Sequence, residues 1–211
     1  MEQSGAGVVY NTLMTKPFFS IIIPSLNEEK YLPHLLSDLA DQSFQDFEVI
    51  VVDGHSDDNT VKTAKTFSRR LSLKIVNSSR RHVCVQRNLG AKSAKADTFI
   101  FMDADNRLPP YFLQGIKYRL ESSPADIATC WLQSDHDSTK DKNISLAINY
   151  AHELLKNSKA PIMMESLVIS SHQAFHKIGG FDENVNLGEG TFFTKQALTN
   201  HFTYSVYRDP I

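Results

Sequence analysis

The first half of the chain alternates between two hydrophobic periods. Short, continuous apolar runs predict strands that are buried on both faces, as the inner strands of a parallel sheet are. These runs cover residues 18–23, 47–52, 73–76 and 98–102. Apolar residues at helical spacing predict helices over 32–39, 61–71 and 85–96. Strands and helices therefore alternate, which predicts an α/β fold with a mostly parallel sheet flanked by helices.

The second half is less regular, and its apolar pattern mixes short strands with helices. We predict a helix from Pro109 through Leu120, an exposed polar loop over 133–143, and a helix marked by Ile144 and Ile148. Further strands are predicted over 127–132, 167–170 and 202–207, and further helices over 171–178 and 191–200. Because Gly179 and Gly180 follow the helix at 171–178, they are expected to end it.

No linker rich in Pro, Gly or Ser separates the halves, so a single domain is expected over residues 18–211. Residues 1–17 are expected to form a loosely ordered leader. The sequence stops at Ile211, directly after a predicted strand, which leaves open whether the domain is cut short there.

Composition narrows the function classes. The chain has 211 residues, of which 41% are apolar, so it can bury a core and is not a disordered protein. Its 22 basic and 24 acidic residues give a net charge of −2, which argues against nucleic acid as a partner. The two cysteines, Cys84 and Cys130, are expected to be reduced thiols of a cytoplasmic protein. Residues 1–16 show no charged start followed by a long apolar stretch, so no signal peptide is expected in them, and the sequence contains no apolar run of about 20 residues.

Polar or acidic loops follow three of the predicted strands, at residues 24–28, 53–58 and 103–105. In an open parallel sheet, ligands bind outside the carboxyl ends of the strands. Helix capping is the alternative explanation for any one of these loops, as for Asp58 before Thr60. The three loops together favour a ligand site.

Asp103 and Asp105 are the sharpest feature, because they lie two residues apart at the end of a buried strand. Carboxylate oxygens at such a position suit Mn²⁺ or Mg²⁺, which usually share their coordination with substrate phosphates and water. The chain has no G-x-G-x-x-G after its first strand, no P-loop and no G-x-S-x-G elbow. These absences argue against a dinucleotide-binding Rossmann fold, a P-loop NTPase and an α/β-hydrolase.

Five segments together resemble the family 2 glycosyltransferases of GT-A fold, in order and in spacing. They are FSIIIPSLNEE at 19–29, VVDGHSDDNT at 51–60, QRNLGA at 86–91, FMDAD at 101–105 and GGFDE at 179–183. The resemblance extends over about residues 18–200.

The resemblance implies an inverting hexosyltransferase that uses a nucleoside-diphosphate sugar, such as a UDP- or GDP-sugar, and a divalent metal. The residues implied to bind the nucleotide sugar are Pro24, Ser25, Asn27, Glu28, Asp53, Arg87, Asp103 and Asp105, with Asn88 beside Arg87 at a helix start. Asp53 would hold the base and Asp103 would lie near the ribose. Asp105 would bind the metal, with Asp103 and His201 as further candidate ligands. Such a metal neutralises the charge that develops on the departing nucleoside diphosphate.

The chain departs from the family where the catalytic base is expected. The base is usually the second acid of a pair, and here the corresponding text is Gly188-Glu189-Gly190. Glu189 is therefore the first candidate for the base, with Asp182 and Glu183 as alternatives. Lys195 and Gln196 stand where the family often has an arginine.

This departure keeps a second class of function open, a non-catalytic nucleotide-sugar binder whose acceptor site has decayed. A third reading, a sugar-phosphate nucleotidyltransferase, is less favoured because residues 24–28 are not a Gly-rich basic loop. The expected acceptor is a glycan or a lipid-linked molecule. If the acceptor is lipid-linked, segments beyond this sequence would hold the protein at the cytoplasmic face of a membrane.

Overall fold

The strands form one sheet, whose edges determine where the loops meet. The computed structural model describes residues 16–134, 138–156, 158 and 161–208. Within these residues the strands are β1 Phe19–Ser25, β2 Phe47–Asp53, β3 Leu73–Asn77, β4 Thr98–Met102, β5 Ile127–Cys130, β6 Leu167–Ser171 and β7 Tyr204–Tyr207. Their order across the sheet is β3-β2-β1-β4-β6-β5-β7.

The sheet is mostly parallel, as predicted. β1 pairs in parallel with β2 and β4, β2 with β3, and β5 with β7. β6 runs antiparallel to both of its neighbours, β4 and β5. The start of β6 therefore lies at the same edge as the carboxyl ends of the other strands.

Helices cover both faces of the sheet, which explains why the strands are continuously apolar. The described helices are α1 Leu32–Ala40, α2 Thr60–Lys65, α3 Val83–Ser93, α4 Phe112–Ser122, α5 Thr139–Leu155, α6 His172–Ile178 and α7 Glu189–Thr199, with a 3₁₀ turn at Thr66–Arg69. α1, α2 and α4 pack against one face, beside Ile21 and Ile23 of β1. α3, α6 and α7 pack against the other, beside Ile22. The alternation of side chains along β1 thus contributes to two cores.

Gly90 lies in the middle of α3, where a glycine usually weakens a helix. A Cβ atom at this position would lie 2.3 Å from Cγ2 of Ile22 and 3.1 Å from Cγ2 of Val52. The missing side chain therefore lets α3 approach the sheet closely. Gln86 strengthens this contact, since its Nε2 donates hydrogen bonds to the backbone oxygens of Ser25 (2.9 Å) and Val52 (2.8 Å).

α5 corrects two expectations. It begins at Thr139, so residues 139–143 are helical and not part of a loop. The apolar side chains of Ile144 and Ile148, which predicted the helix, are 47% and 44% exposed. Asn149 and His152 are buried instead. Asn149 donates to the backbone oxygen of Leu132 (2.7 Å) and accepts from its N–H (3.1 Å), so polar bonds attach this helix.

The remaining elements follow the prediction closely, apart from small shifts at their ends. The helix at 172–178 ends in Gly179, whose φ of +92° is the left-handed conformation expected there. Residues 1–15 of the predicted leader lie outside the described residues. Among the described helices, none is both long and apolar enough to span a bilayer.

Candidate functional site

The loops after β1 and β2 are tied together at the carboxyl edge of the sheet. The backbone N–H of Asn27 donates to Oγ of Ser56 (2.9 Å), and the N–H of Asp57 donates back to Oδ1 of Asn27 (2.8 Å). Asn27 has a φ of +59°, which asparagine tolerates better than most residues. Glu28 adds a third link, from its N–H to Oγ1 of Thr60 (2.7 Å). The two predicted loops therefore form one unit.

A cavity of about 310 Å³ opens beside these loops. Its lining residues are Pro24, Ser25, Leu26, Glu28, Arg81, His82, Val83, Gln86, Asp103, Ala104 and Asp105. Pro24 and Ser25 belong to the end of β1 and are buried, so they form the floor and not the loop that was expected. The structure thus places three of the predicted residues, Glu28, Asp103 and Asp105, at one cavity.

Asp53 is 5% exposed at the end of β2. Its carboxylate accepts hydrogen bonds from the backbone N–H groups of His55 (3.1 Å) and Ser56 (3.2 Å). Asp53 therefore orders the loop that contacts Asn27. The expectation that it also holds a nucleotide base stays a prediction.

Asp103 and Asp105 follow β4 at the same edge. Burial raises the pKa of Asp103, and the charges of Asp105 and Glu189 raise it further, while Arg87 opposes the shift. The pKa of Glu28 is raised by burial and then by the charges of Asp105, Asp103 and Asp58. This accumulation of negative charge suits a divalent cation.

The donor set fits such an ion only in part, because Asp103 already binds Arg87 at 2.9 Å. No group of three or more His, Cys, Asp or Glu side chains among the described residues is arranged to hold a metal. An ion bound by Asp105, with Asp103 beside it, would need further oxygens from substrate phosphates and water, as Mg²⁺ commonly does.

Arg87 lies at the centre of an acidic cluster and is 1% exposed. Its guanidinium donates to Oε1 of Glu189 (2.8 Å), to Oδ1 of Asp103 (2.9 Å) and to the backbone oxygen of Glu165 (2.9 Å). The ring of Phe181 packs 5.2 Å from its central carbon. Arg87 thus joins α3, the loop after β4, the start of β6 and the start of α7.

Glu165 contacts Arg87 through its backbone oxygen, and it is not among the site residues predicted from the sequence. It lies two residues before β6, and since β6 is antiparallel, its amino end meets the carboxyl ends of the parallel strands. The N–H of Asp103 donates to the backbone oxygen of Ser166 (3.1 Å), which places this segment against the Asp103 loop. Only the antiparallel orientation of β6 reveals that Glu165 lies at this edge, and a linear pattern of apolar and polar residues does not contain that orientation.

The alternative bases Asp182 and Glu183 have other contacts. Oδ1 of Asp182, an exposed residue, accepts from the backbone and side chain of Asn184 at 2.9 and 3.0 Å. Glu183 accepts from Nδ2 of Asn88 (3.1 Å), and Asn88 also donates to and accepts from the backbone of Phe181. Asn88 therefore fastens the GGFDE segment to α3, and neither acid contacts Arg87.

His201 is not part of this site. It lies in the turn before β7, and β7 begins beside Ile127 at the start of β5. That is the amino edge of the parallel strands, opposite the edge that carries Asp103 and Asp105. The prediction that His201 is a further ligand of the same metal is wrong, because sequence proximity to the last helix did not reveal which edge the turn occupies.

A second cavity of about 630 Å³ lies on the other side of Asp105. Its walls include Lys30, Tyr31, His34 and Arg107, and Leu167 of β6. Asp105 lines both cavities, and Asp103 lines the smaller one. The edge of the sheet thus offers two adjoining spaces that meet at a carboxylate.

Comparisons with known proteins agree with this architecture. The mannosyltransferase PcManGT from Pyrobaculum calidifontis, solved with GDP-Man and Mn²⁺, superposes with a TM-score of 0.73 over 93% of this chain and 56% of its own, at 18% identity. TarS of Staphylococcus aureus, residues 1–349 with UDP, gives a TM-score of 0.71 over 92% of this chain and 60% of its own, at 22% identity. The fold is that of the GT-A glycosyltransferases.

Sequence comparison narrows the class to a family. The family model described as "Glycosyl transferase family 2" matches residues 20–179, so the chain belongs to this family. The poly(ribitol-phosphate) β-N-acetylglucosaminyltransferase TarS of S. aureus is 31% identical over 113 residues, which are 52% of this chain and 20% of TarS. A PGL/p-HBAD biosynthesis glycosyltransferase of Mycobacterium bovis is 36% identical over 97 residues, 45% of this chain and 38% of that protein. The chain therefore spans well under half of these curated relatives.

Proposed function

We propose that this protein transfers a hexosyl group from a nucleoside-diphosphate sugar to an acceptor hydroxyl by a single displacement with inversion. The observation that carries the proposal is the cavity at the carboxyl edge, where Glu28, Asp103 and Asp105 converge beside the linked loops after β1 and β2. The family and the UDP and GDP-Man complexes of its structural relatives support a nucleotide sugar as donor.

Some of the site residues order the loops, and others give the cavity its charge. Asp53 and Asn27 hold the loops in shape, and Glu28, Asp103 and Asp105 give the cavity its negative charge. A Mn²⁺ or Mg²⁺ ion held by Asp105, with Asp103 beside it, would neutralise the diphosphate as it departs. The larger cavity beyond Asp105 is proposed to receive the acceptor, a glycan or a lipid-linked molecule. Its Lys30 and His34 would favour an acceptor that carries phosphate.

We also propose a cytoplasmic location, at the membrane face if the acceptor is lipid-linked. A chain of 211 residues with two cysteines has no disulfide framework, which fits a reducing compartment.

A thermal-shift panel with UDP, GDP, CDP and dTDP tests donor binding, each with Mn²⁺, Mg²⁺ or EDTA. A ligand of the native state raises the melting temperature by mass action. We expect one nucleotide to stabilise the protein with metal and not with EDTA, and Asp105→Asn to abolish the shift. Asp97→Asn is the matched control, since Asp97 lies just before the opposite end of the same strand, where it pairs with Lys16. No shift with any nucleotide would refute the donor site.

Sugar transfer then separates the enzyme from a non-catalytic binder. Release of nucleoside diphosphate from the matching donor, followed with water and with polyol acceptors, is expected of the enzyme. Binding of the nucleotide without any release would favour the binder with a decayed acceptor site.

A further inference from the structure

The carboxylates around Arg87 differ in their partners. Glu189 and Asp103 both accept hydrogen bonds from the guanidinium, whereas Glu165 offers it only a backbone oxygen. The side chain of Glu165 forms no ion pair with a basic side chain in the described part of the chain. It is half-buried at the sheet edge. Arg87 therefore binds the backbone of Glu165, while the carboxylate of Glu165 makes no ion pair with it.

The side chain of Glu165 occupies the space beside Gly190. A Cβ atom at position 190 would lie 3.0 Å from Cγ of Glu165, which is closer than carbon atoms normally pack. The backbone N–H of Gly190 lowers the pKa of Glu165, which agrees with this close approach. Gly190 is in the first turn of α7, a helix of 11 residues, whose amino end favours a negative charge. A carboxylate is therefore present at the start of α7, although position 190 itself has no side chain.

We propose that Glu165 accepts the proton of the acceptor hydroxyl, and that Arg87 and Glu189 are positioning residues that hold the start of α7 against it. The inference rests on the proposed function, since it assigns a residue of that same site. In the step, the acceptor oxygen forms a bond to the anomeric carbon while the bond from that carbon to the diphosphate oxygen breaks. The diphosphate leaves with the bonding electron pair, and the hydroxyl proton passes to Glu165.

Glu189 is less suited to this role, although the sequence made it the first candidate. It is 7% exposed, and the guanidinium of Arg87 already binds its Oε1 at 2.8 Å. Burial raises the pKa of Glu165, and the charge and side chain of Glu189 raise it further. A base with a raised pKa holds a proton more strongly at neutral pH, which general-base catalysis requires.

The test compares Glu165→Gln, Glu189→Gln and the control Glu121→Gln, whose residue forms a surface pair with Lys117 on α4. The probes are UDP-, GDP-, CDP- and dTDP-sugars with water as the acceptor, and the readouts are nucleotide release and nucleotide-induced thermal shift. We expect Glu165→Gln to lose about 10²–10⁴-fold in kcat, with KM for the donor and the thermal shift unchanged. Glu189→Gln should retain more of the rate, because glutamine still accepts from Arg87, and Glu121→Gln should retain all of it.

Three further variants test whether the carboxylate can be moved to position 190. Glu165→Gly should be as inactive as Glu165→Gln, and adding Gly190→Asp should recover at least part of the rate. Gly190→Asp alone should lower the melting temperature, because it crowds Glu165. A wild-type rate in Glu165→Gln, or a larger loss in Glu189→Gln, would overturn the assignment while leaving the proposed function intact. A wild-type protein that neither binds nor cleaves any donor would overturn both.

Discussion

The close approach of α3 to the sheet leads to a prediction with a matched control. Gly90→Ala places a Cβ atom 2.3 Å from Cγ2 of Ile22, more than about 1 Å short of normal contact. Ile22 is fully buried in β1, and its branched side chain has few alternative rotamers. Either Ile22 leaves its rotamer or α3 moves away from the sheet.

Gly115→Ala is the control, since Gly115 is also inside a helix, α4, and a Cβ atom there would meet nothing within 4 Å. Both substitutions gain up to about 1 kcal/mol of helix propensity. Only Gly90→Ala adds the cost of overpacking, about 1–3 kcal/mol and sometimes more. We therefore expect Gly115→Ala to be stabilised slightly and the two variants to differ by about 1–3 kcal/mol.

Urea unfolding measures the difference directly, and thermal unfolding should show melting temperatures about 2–12 °C apart for a chain of this length. Equal stability of the two alanine variants would refute the argument. It would mean that α3 does not depend on the missing side chain for its distance from the sheet.

Two further predictions concern buried charge. Arg87→Met should lower the free energy of unfolding by about 3 kcal/mol, because it leaves Glu189 buried without a cation. Arg70→Met, which breaks the exposed pair with Asp41, should cost less than about 1 kcal/mol, and equal losses in urea unfolding would contradict the reasoning. Burial lowers the pKa of His152, so the unfolded chain binds more protons below about pH 6.5 and the wild type loses stability as the pH falls. His152→Gln should lose less between pH 7.5 and 5.5 in the same assay, and parallel curves would show that His152 is not involved.

The sequence predicted the positions of strands and helices along the chain better than it predicted strand direction and the edge of the sheet that each loop reaches. Continuous apolar runs such as 47–52 indicated strands covered on both faces, and the polar loops after them marked the correct edge. Asp103, Asp105 and Glu28 come together because parallel strands end at one edge, which a pattern can reveal. The direction of β6 and the edge reached by the turn at His201 depend on long-range pairing. A linear pattern therefore missed Glu165 and misplaced His201.

The apolar spacing correctly predicted that α5 is a helix, but it did not predict which face of the helix is buried. Ile144 and Ile148 indicated an apolar face, but Asn149 faces the protein because its amide pairs with both backbone groups of Leu132. A buried backbone segment needs hydrogen-bond partners, and asparagine supplies a donor and an acceptor together. Hydrophobicity alone does not reveal such a requirement.

The attachment of α5 has a consequence for motion. The buried residues of α5 are Asn149 and His152, whereas Ile144, Ile148 and Leu154 are 44–80% exposed, so the helix buries little apolar surface that resists its release. In native-state hydrogen exchange, we therefore expect its amides to exchange before those of the sheet strands. Since Leu132 lines the larger cavity, each opening also frees part of that wall. We therefore expect the width of this cavity to depend on the same local unfolding equilibrium.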